Sequence, residues 1–402
     1  MAADEAAIDF VLTLGRALHR FGTPADRLEQ ALSEACKRLD LVAEVFTTPT
    51  TIIMSFGEPR ELRTRLMRVE GGELDMDKLA LIDELADLVA EHALAPDDGR
   101  DRLHKILAAP PRFGRALSTL GHGMTAGSIA VFFGGALADV AVAAAIGLLL
   151  GVLAQYVRRS TDQARVFELV GAAVAAFAAT GVGALWHAVT PPRVTLAALI
   201  VLLPGLSLTV AMTELATRNL ISGTARLMSA VIVLLELVVG VALGERAAHA
   251  LSHATYAIEA TPLPSWSQWP ALAAAALGVA IIVQAQPRAF GWILGACATG
   301  YLGSRLGTAW LGPELGVLVG AFALGVLGNL YARLLARPAQ VVLVPAVLLL
   351  VPGSMGFRGM SSLLGGETVS GVETVFAMFV VAFAIVAGLL IANAVVSARR
   401  SL

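Results

Sequence analysis

LLPGLSLTVAMTELATRNLISGTARLMSAVIVLLELVVGVALG, Leu202 to Gly244, decides how this chain is read, because its pattern returns 148 residues later. Laid over LVPGSMGFRGMSSLLGGETVSGVETVFAMFVVAFAIVAGLLIA (Leu350–Ala392), it matches without a gap. The matched pairs are Pro204/Pro352, Gly205/Gly353, Met212/Met360, Ser222/Ser370, Gly223/Gly371 and Gly240/Gly388. The segment before each copy matches too, at a shift of 145: GAAVAAFAATGVGALW (Gly171–Trp186) faces GVLVGAFALGVLGNLY (Gly316–Tyr331). Apolar helices of low complexity produce single matches by chance, but not ordered matches across three consecutive segments. Each copy carries Pro-Gly inside an apolar run. Proline removes a backbone donor and clashes with the preceding turn, and glycine permits unwinding. Backbone groups freed near mid-membrane are a place for a polar solute to bind.

The composition around these copies is that of a membrane protein. Hydrophobic residues make up 57% and charged residues 15% of 402 positions, against about a quarter charged in soluble proteins. Mean hydropathy is +0.75. Ten segments are long and apolar enough to span a hydrocarbon core of about 30 Å. They lie at 117–134, 137–157, 166–188, 194–213, 224–247, 269–285, 289–309, 313–335, 341–358 and 370–396. The matched segments are then the third with the eighth, the fourth with the ninth and the fifth with the tenth. Five crossings separate each pair, an odd number, so the two copies face opposite ways. The expected fold is a polytopic α-helical membrane protein of about ten helices in two inverted five-helix repeats, preceded by a small cytoplasmic α+β domain. Inverted repeats are the architecture of alternating-access transporters, although some channels share it.

The charge is unevenly spread. Residues 1–112 hold 14 Lys+Arg and 21 Asp+Glu, while 113–402 hold 15 and 10. The expected division is a cytoplasmic domain at 1–112, a first repeat at 113–248, an external loop at 249–268 and a second repeat at 269–402. The N-terminus, MAADEAAIDF, has no basic run followed by an apolar one, so no secretory signal is expected. With that domain inside, Arg158, Arg159, Arg165, Arg218, Arg226, Arg288, Arg333, Arg337, Arg399 and Arg400 fall on the cytoplasmic side. Arg193, Arg246, Arg305 and Arg358 fall outside, so the bias is the usual positive-inside one. Trp266 and Trp269 sit where the external loop re-enters the membrane. No basic cluster suits nucleic acid. Cys36 and Cys297 have no metal-ligand spacing and read as small buried hydrophobes.

In the front domain, helical spacing predicts a helix over residues 5–20 and a second to about Leu39, with Thr23 as its N-cap and Pro24 in its first turn. Leu41–Phe56, broken at Pro49, reads as two strands, and Arg63–Glu70 as a third. Asp77–Leu94 reads as an amphipathic helix with Leu81, Leu85, Leu88 and Val89 inward. His19, Arg27 and Glu29 beside the turn read as solvated or structural charges.

With these motifs in view, the chain resembles the threonine/serine exporter family over nearly its whole length. RFGTPADRLEQAL (Arg20–Leu32) and VFTTPTTIIMSFG (Val45–Gly57) look like the family's front signature. Leu202–Leu227 resembles its Pro-Gly segment ending in Ser-Gly-x-x-Arg, with Glu214 where the family usually carries aspartate. LVPGSMGFRGMSSLL (Leu350–Leu364) is similar to the second-half motif, fused here to the first. The resemblance implies proton-driven export of L-threonine and L-serine; the expected location is the inner membrane, with both termini cytoplasmic from the arginine distribution. The sequence alone implies only a small polar solute. Alternatives are export of a dicarboxylate such as succinate, or a channel with a cytoplasmic regulatory domain.

A zwitterionic amino acid needs a cation for its carboxylate, an anion for its ammonium and polar contacts. Arg358 is a candidate for the first, through a bidentate fork, and Glu214 for the second. Ser207, Thr209, Thr213, Ser354 and Ser361 are candidates for the contacts, beside Pro204, Gly205, Pro352 and Gly353 at the breaks. In an inverted arrangement Glu214 drifts inward and Arg358 outward, so the two also read as gate residues on opposite faces. Glu236, mid-way along its helix, is the leading proton carrier, since an intramembrane carboxylate needs a cavity or partner. Asp139, Glu168 and Glu314, near helix ends, read as solvated, and His122 and His187 as weaker candidates. The expected partners are an amino-acid substrate, protons and the bilayer, and self-association is left open. No enzyme motif, cofactor or metal is expected: the chain holds no Gly-x-Ser-x-Gly and no His-Glu-x-x-His.

Overall fold

The computed structural model describes residues 2–58, 60–72, 74–157, 166–251 and 261–397. Arg158, Arg159, Arg165, Arg399, Arg400 and residues 252–260 of the expected external loop lie outside the described residues.

The front of the chain forms α1 (Ala2–Arg20), α2 (Ala25–Arg38), strands β1 (Ala43–Thr48), β2 (Thr51–Phe56) and β3 (Arg63–Arg68), then α3 (Met76–Ala90) and α4 (Pro96–Ala108). The strands make an antiparallel meander in the order β1-β2-β3. Its tight turn falls at Pro49–Thr50, the break read from the sequence, and register runs Phe46↔Ile53↔Leu66. Alternation along β2 sends Ile52, Met54 and Phe56 into a core with Phe10, Leu14, Leu28, Leu32 and Ile82. On α3 the inward face is Leu79, Ile82, Leu85, Ala86 and Val89. Leu81 and Leu88, expected inward, are each 37% exposed, because the stripe that packs is offset from them by about a quarter turn. Thr23 does not cap α2: the N-cap is Pro24, without a side-chain bond.

Next come α5 (Arg115–Phe132), α6 (Leu137–Val157), α7 (Phe167–Leu185), α8 (Pro191–Ala198), a single 3-10 turn at Leu199–Val201, α9 (Gly205–Ala216) and α10 (Leu220–Leu251). The rest is α11 (Gln268–Ile282), α12 (Phe290–Leu335), α13 (Gln340–Leu350), α14 (Gly353–Leu364) and α15 (Thr368–Val395). Seven helices among the described residues are long and apolar enough to cross a membrane, or eight if the bent pair Pro191–Val201 and Gly205–Ala216 is one span. Two features separate this count from the ten expected. Arg115–Phe132 is helical where expected but falls outside the count, since Arg115, His122 and several Ser, Thr and Gly residues dilute its apolar content.

The segments expected at 289–309 and 313–335 form one run, α12, which turns back on itself. Gly312 stands at φ 83°, ψ 172°, ahead of Pro313, so the helical ladder is interrupted there. A Cβ on Gly303 would lie 2.8 Å from the Gly320 Cα, and one on Gly307 would strike the Gly316 carbonyl. The two arms of α12 are therefore packed face to face through glycines. Leu235, Val239, Phe376 and Phe383 are more than two-fifths exposed on α10 and α15. That apolar exterior belongs in lipid.

Candidate functional site

Two broken helices meet at the middle of the helical region. At Pro204 the α8 segment gives way to α9 with a bend of 57°, and at Pro352 α13 gives way to α14. Pro204 sits at φ −79°, ψ 37° and Pro352 at φ −83°, ψ 28°, nearly the same conformation at matched positions. The breaks touch each other. A Cβ on Gly353 would lie 3.2 Å from Gly205 N and 3.3 Å from its Cα, and one on Gly205 would strike Val351. The two backbones are each other's neighbours, so a side chain at Gly205 must displace Val351 and one at Gly353 must push the crossing apart slightly.

Packing around the breaks repeats as well. Gly240 on α10 lies against the Leu169 carbonyl and Ala172 of α7, and Gly388 on α15 lies against the Leu318 carbonyl and Ala321 of α12. Leu318 thus answers Leu169 at a shift of 149, four residues and about one helical turn from the sequence match at 145. Small apolar side chains repeat every turn on these helices, so an alignment slides by a turn at little cost in matches.

On one side of the crossing a cavity of about 720 Å³ opens. It is lined by Arg193, Glu245, Arg358, Ser361, Ser362 and Glu367, with Phe132, Phe133 and Phe357 among its apolar walls. The Arg358 guanidinium lies 5.5 Å from the centroid of the Phe133 ring, a cation–π distance. Arg193 reaches back to the Gly134 carbonyl at 3.3 Å. The expected residues Arg358 and Ser361 are therefore in the cavity. Arg193, Glu245, Ser362 and Glu367 are additions; Val241 and Glu245, four apart on α10, share a helix face that the sequence already displayed.

Glu214 is elsewhere. It is fully buried at the opposite end of α10, held by Arg226 Nε at 3.1 Å and Arg226 Nη2 at 3.2 Å. Its carboxylate also accepts the Ala25 N–H, 3.1 Å, at the start of α2. This supplies a first-turn amide of α2 with the acceptor that Thr23 does not provide. Nearby, Ser222 Oγ donates to the Thr47 carbonyl at 3.2 Å, and Glu29 accepts the Thr47 N–H at 2.7 Å and its hydroxyl at 3.1 Å. His19, buried, faces the same junction, and burial together with Arg226 holds its pKa below the usual value. Burial pushes Asp26 the other way. His19 and Glu29 are thus part of a buried polar junction, while Arg27 stays exposed.

The remaining candidates divide. Thr209 and Thr213 bond back to the carbonyls of Gly205 and Thr209, at 3.1 and 2.9 Å, within their own helix. Ser207 is exposed and Ser354 half-buried, and neither lines the cavity. Glu236 is half-buried outside the cavity, with Glu168 as its charged neighbour. Asp139, expected to be solvated, is fully buried: it accepts the Ala136 N–H at 3.0 Å and the Thr190 N–H at 2.7 Å, tying α6 to the entry of α8. Glu314 and His187 are exposed, and His122 is buried with Nδ1 2.8 Å from the Ser118 carbonyl. Both cysteines are buried and free. Among the described residues no group of His, Cys, Asp and Glu is arranged to hold a metal.

Comparison with known families places the molecule. A model of the threonine/serine exporter matches residues 9–247, and a second model of the same exporter matches residues 269–395. The chain belongs to the threonine/serine exporter family. It carries both family halves in one polypeptide. Among curated proteins, this exporter-family chain is 26% identical over 365 residues to an uncharacterized protein of Schizosaccharomyces pombe, covering 87% of the chain and 48% of that protein. It is 29% identical over 373 residues to pheromone-regulated membrane protein 10 of Candida albicans, covering 89% and 33%. Its counterpart in Saccharomyces cerevisiae is 28% identical over 371 residues, with 89% and 47% covered. The chain thus spans half or less of the length of these relatives. No solved structure is significantly similar to it.

Proposed function

We propose that this protein is a secondary active transporter, not an enzyme, that exports small polar amino acids, L-threonine and L-serine, out of the cytoplasm in exchange for protons. The observation that carries the reading is the contact between the two Pro-Gly breaks, alike in backbone conformation and matched in sequence, at the wall between the two ends of the molecule. In an inverted pair of repeats this crossing is the midplane at which a solute changes sides. The cavity beside it offers Arg193 and Arg358 for a carboxylate, Glu245 and Glu367 for an ammonium, and Ser361 and Ser362 for a hydroxyl. Cations and anions together favour a zwitterion over a dicarboxylate, which would meet like charge at both glutamates. Pro204, Gly205, Pro352 and Gly353 form the crossing, and Glu236 carries the proton.

In this reading the chain crosses the inner membrane ten times, with the front domain and C-terminus cytoplasmic and the cavity facing outward. Efflux of labelled serine and threonine from proteoliposomes, with and without an imposed pH gradient, tests it. Efflux accelerated by the gradient is expected, and export of succinate in place of both amino acids overturns the substrate assignment. Labelling of cysteines placed at 250–265 from the cytoplasmic side would reverse the topology.

A further inference from the structure

Among the described residues, the front domain's hydrogen bonds to the helical region reach both halves, at the same end. On the first half, Ala25 N–H meets Glu214 and the Thr47 carbonyl meets Ser222, at the end of α9 and the start of α10. On the second half, Met76 N–H donates to the Val283 carbonyl at 2.9 Å, and Asp77 accepts from Gln286 at 2.6 Å, in the turn between α11 and α12. The buried core runs on without interruption from Leu28 and Ile82 to Val342 and Ala346 of α13. The cavity lies at the other end. Arg226, at the junction, and Glu245, in the cavity, are separated along α10 by about 29 Å, close to a bilayer core.

The two ends are related by the repeat. At the 148-residue shift, the cavity residues Ser361, Ser362, Gly365 and Glu367 correspond to Thr213, Glu214, Thr217 and Asn219. The front domain therefore sits on the counterpart of the open cavity. What is an accessible mouth at one end is, at the other, plugged by α2 and β1.

The plug is imperfectly sealed. His19 Nδ1, Thr23 Oγ1 and Asp26 Oδ1 are buried there without a hydrogen-bond partner among the described residues. Each such group disfavours the closed junction until water or a partner reaches it. Three in one junction lower the free energy needed to part it, whereas Glu214, bonded by Arg226 and Ala25, holds it shut.

We propose that the front domain is the inner gate of the transporter, latched by the Ala25 N–H on Glu214, a carboxylate that Arg226 holds in place, and released in each cycle when the outer cavity closes. This rests on the transport reading above, and its test separates the two. A Ser361→Cys protein is labelled from outside with an impermeant maleimide in right-side-out vesicles; Cys36 and Cys297 are buried and contribute little background. Adding Glu214→Gln weakens the latch, shifts the population inward-open and slows labelling about tenfold, as loss of a charge-assisted bond predicts. An unchanged rate overturns the proposal, and no transported substrate enters this measurement.

Should Glu214→Gln fail to fold, a Thr47→Cys/Ser222→Cys protein decides instead. Bridging the two thiols with a short cross-linker should stop serine and threonine efflux, and cleaving the bridge should restore it. Full efflux with the bridge formed overturns the gate. If the unbridged protein exports neither amino acid, the substrate reading fails, and Ser361→Cys labelling with the bridge formed then decides the gate: faster labelling than in the unbridged protein supports it, and an unchanged rate overturns it.

Discussion

Asp83 lies in the core of the front domain, 5% exposed, where burial first and the neighbouring Asp87 second push its pKa from 3.8 up to about 8. The folded domain therefore keeps a proton that the unfolded chain has lost between those values. Stability falls as pH rises through that window and levels off above about 8. Asp83→Asn cannot ionise, so it should remove this slope and gain about 2–4 kcal/mol at pH 8.5. Amide exchange of α3 in the micelle-solubilised chain, from pH 5 to 9, checks it; an unchanged slope would show that Asp83 is ionised in the fold. Glu236 is the corresponding question inside the membrane. If it carries the proton, Glu236→Gln should abolish gradient-driven accumulation and leave substrate exchange largely intact, because exchange moves no net proton. Normal uphill transport with the same pH dependence would make Glu236 structural. Single residues were legible where local chemistry decides them: Arg358 and Ser361 do line a cavity, and Cys36 and Cys297 are buried. Glu214 was legible as a special charge but not as Arg226's partner at a domain junction, because its other contacts come from residues nearly 190 positions away. Asp139 misled for a related reason: the loop amide that buries it, Thr190 N–H, is 51 residues distant.

At the scale of elements, the repeat makes a paired prediction. Gly240 and Gly388 hold α7 against α10 and one arm of α12 against α15 at backbone contact, so a methyl group at either site must part the helices. Gly240→Ala and Gly388→Ala should each lower the melting temperature in detergent, by comparable amounts, with a cost of about 1–3 kcal/mol for overpacking. A large effect at one site and none at the other would break the correspondence. The strands of the front domain were legible almost to their ends, and the apolar segments of the membrane region to within several residues, since alternation and long apolar runs are strong local signals. The face of α3 and the register between α7 and α12 were not. Leu is abundant all around α3, and Ala and Gly recur every turn on the other two, so only the packing partner selects which stripe turns inward.

For the molecule as a whole, the front domain joins the first half through Glu214 and Ser222 and the second through Val283 and Gln286. The covalent link between the halves is then not what holds them in place. Severing the chain should leave a complex rather than two fragments: residues 1–251 and 261–402, made as separate polypeptides in one cell, are expected to copurify and to transport. Asp77→Ala with Gln286→Ala should weaken that copurification while leaving the first fragment folded. Recovery of the first fragment alone would show that the link is needed. A domain that clamps both partners allows the order of the halves on one gene, or their division between two, to change without loss of assembly.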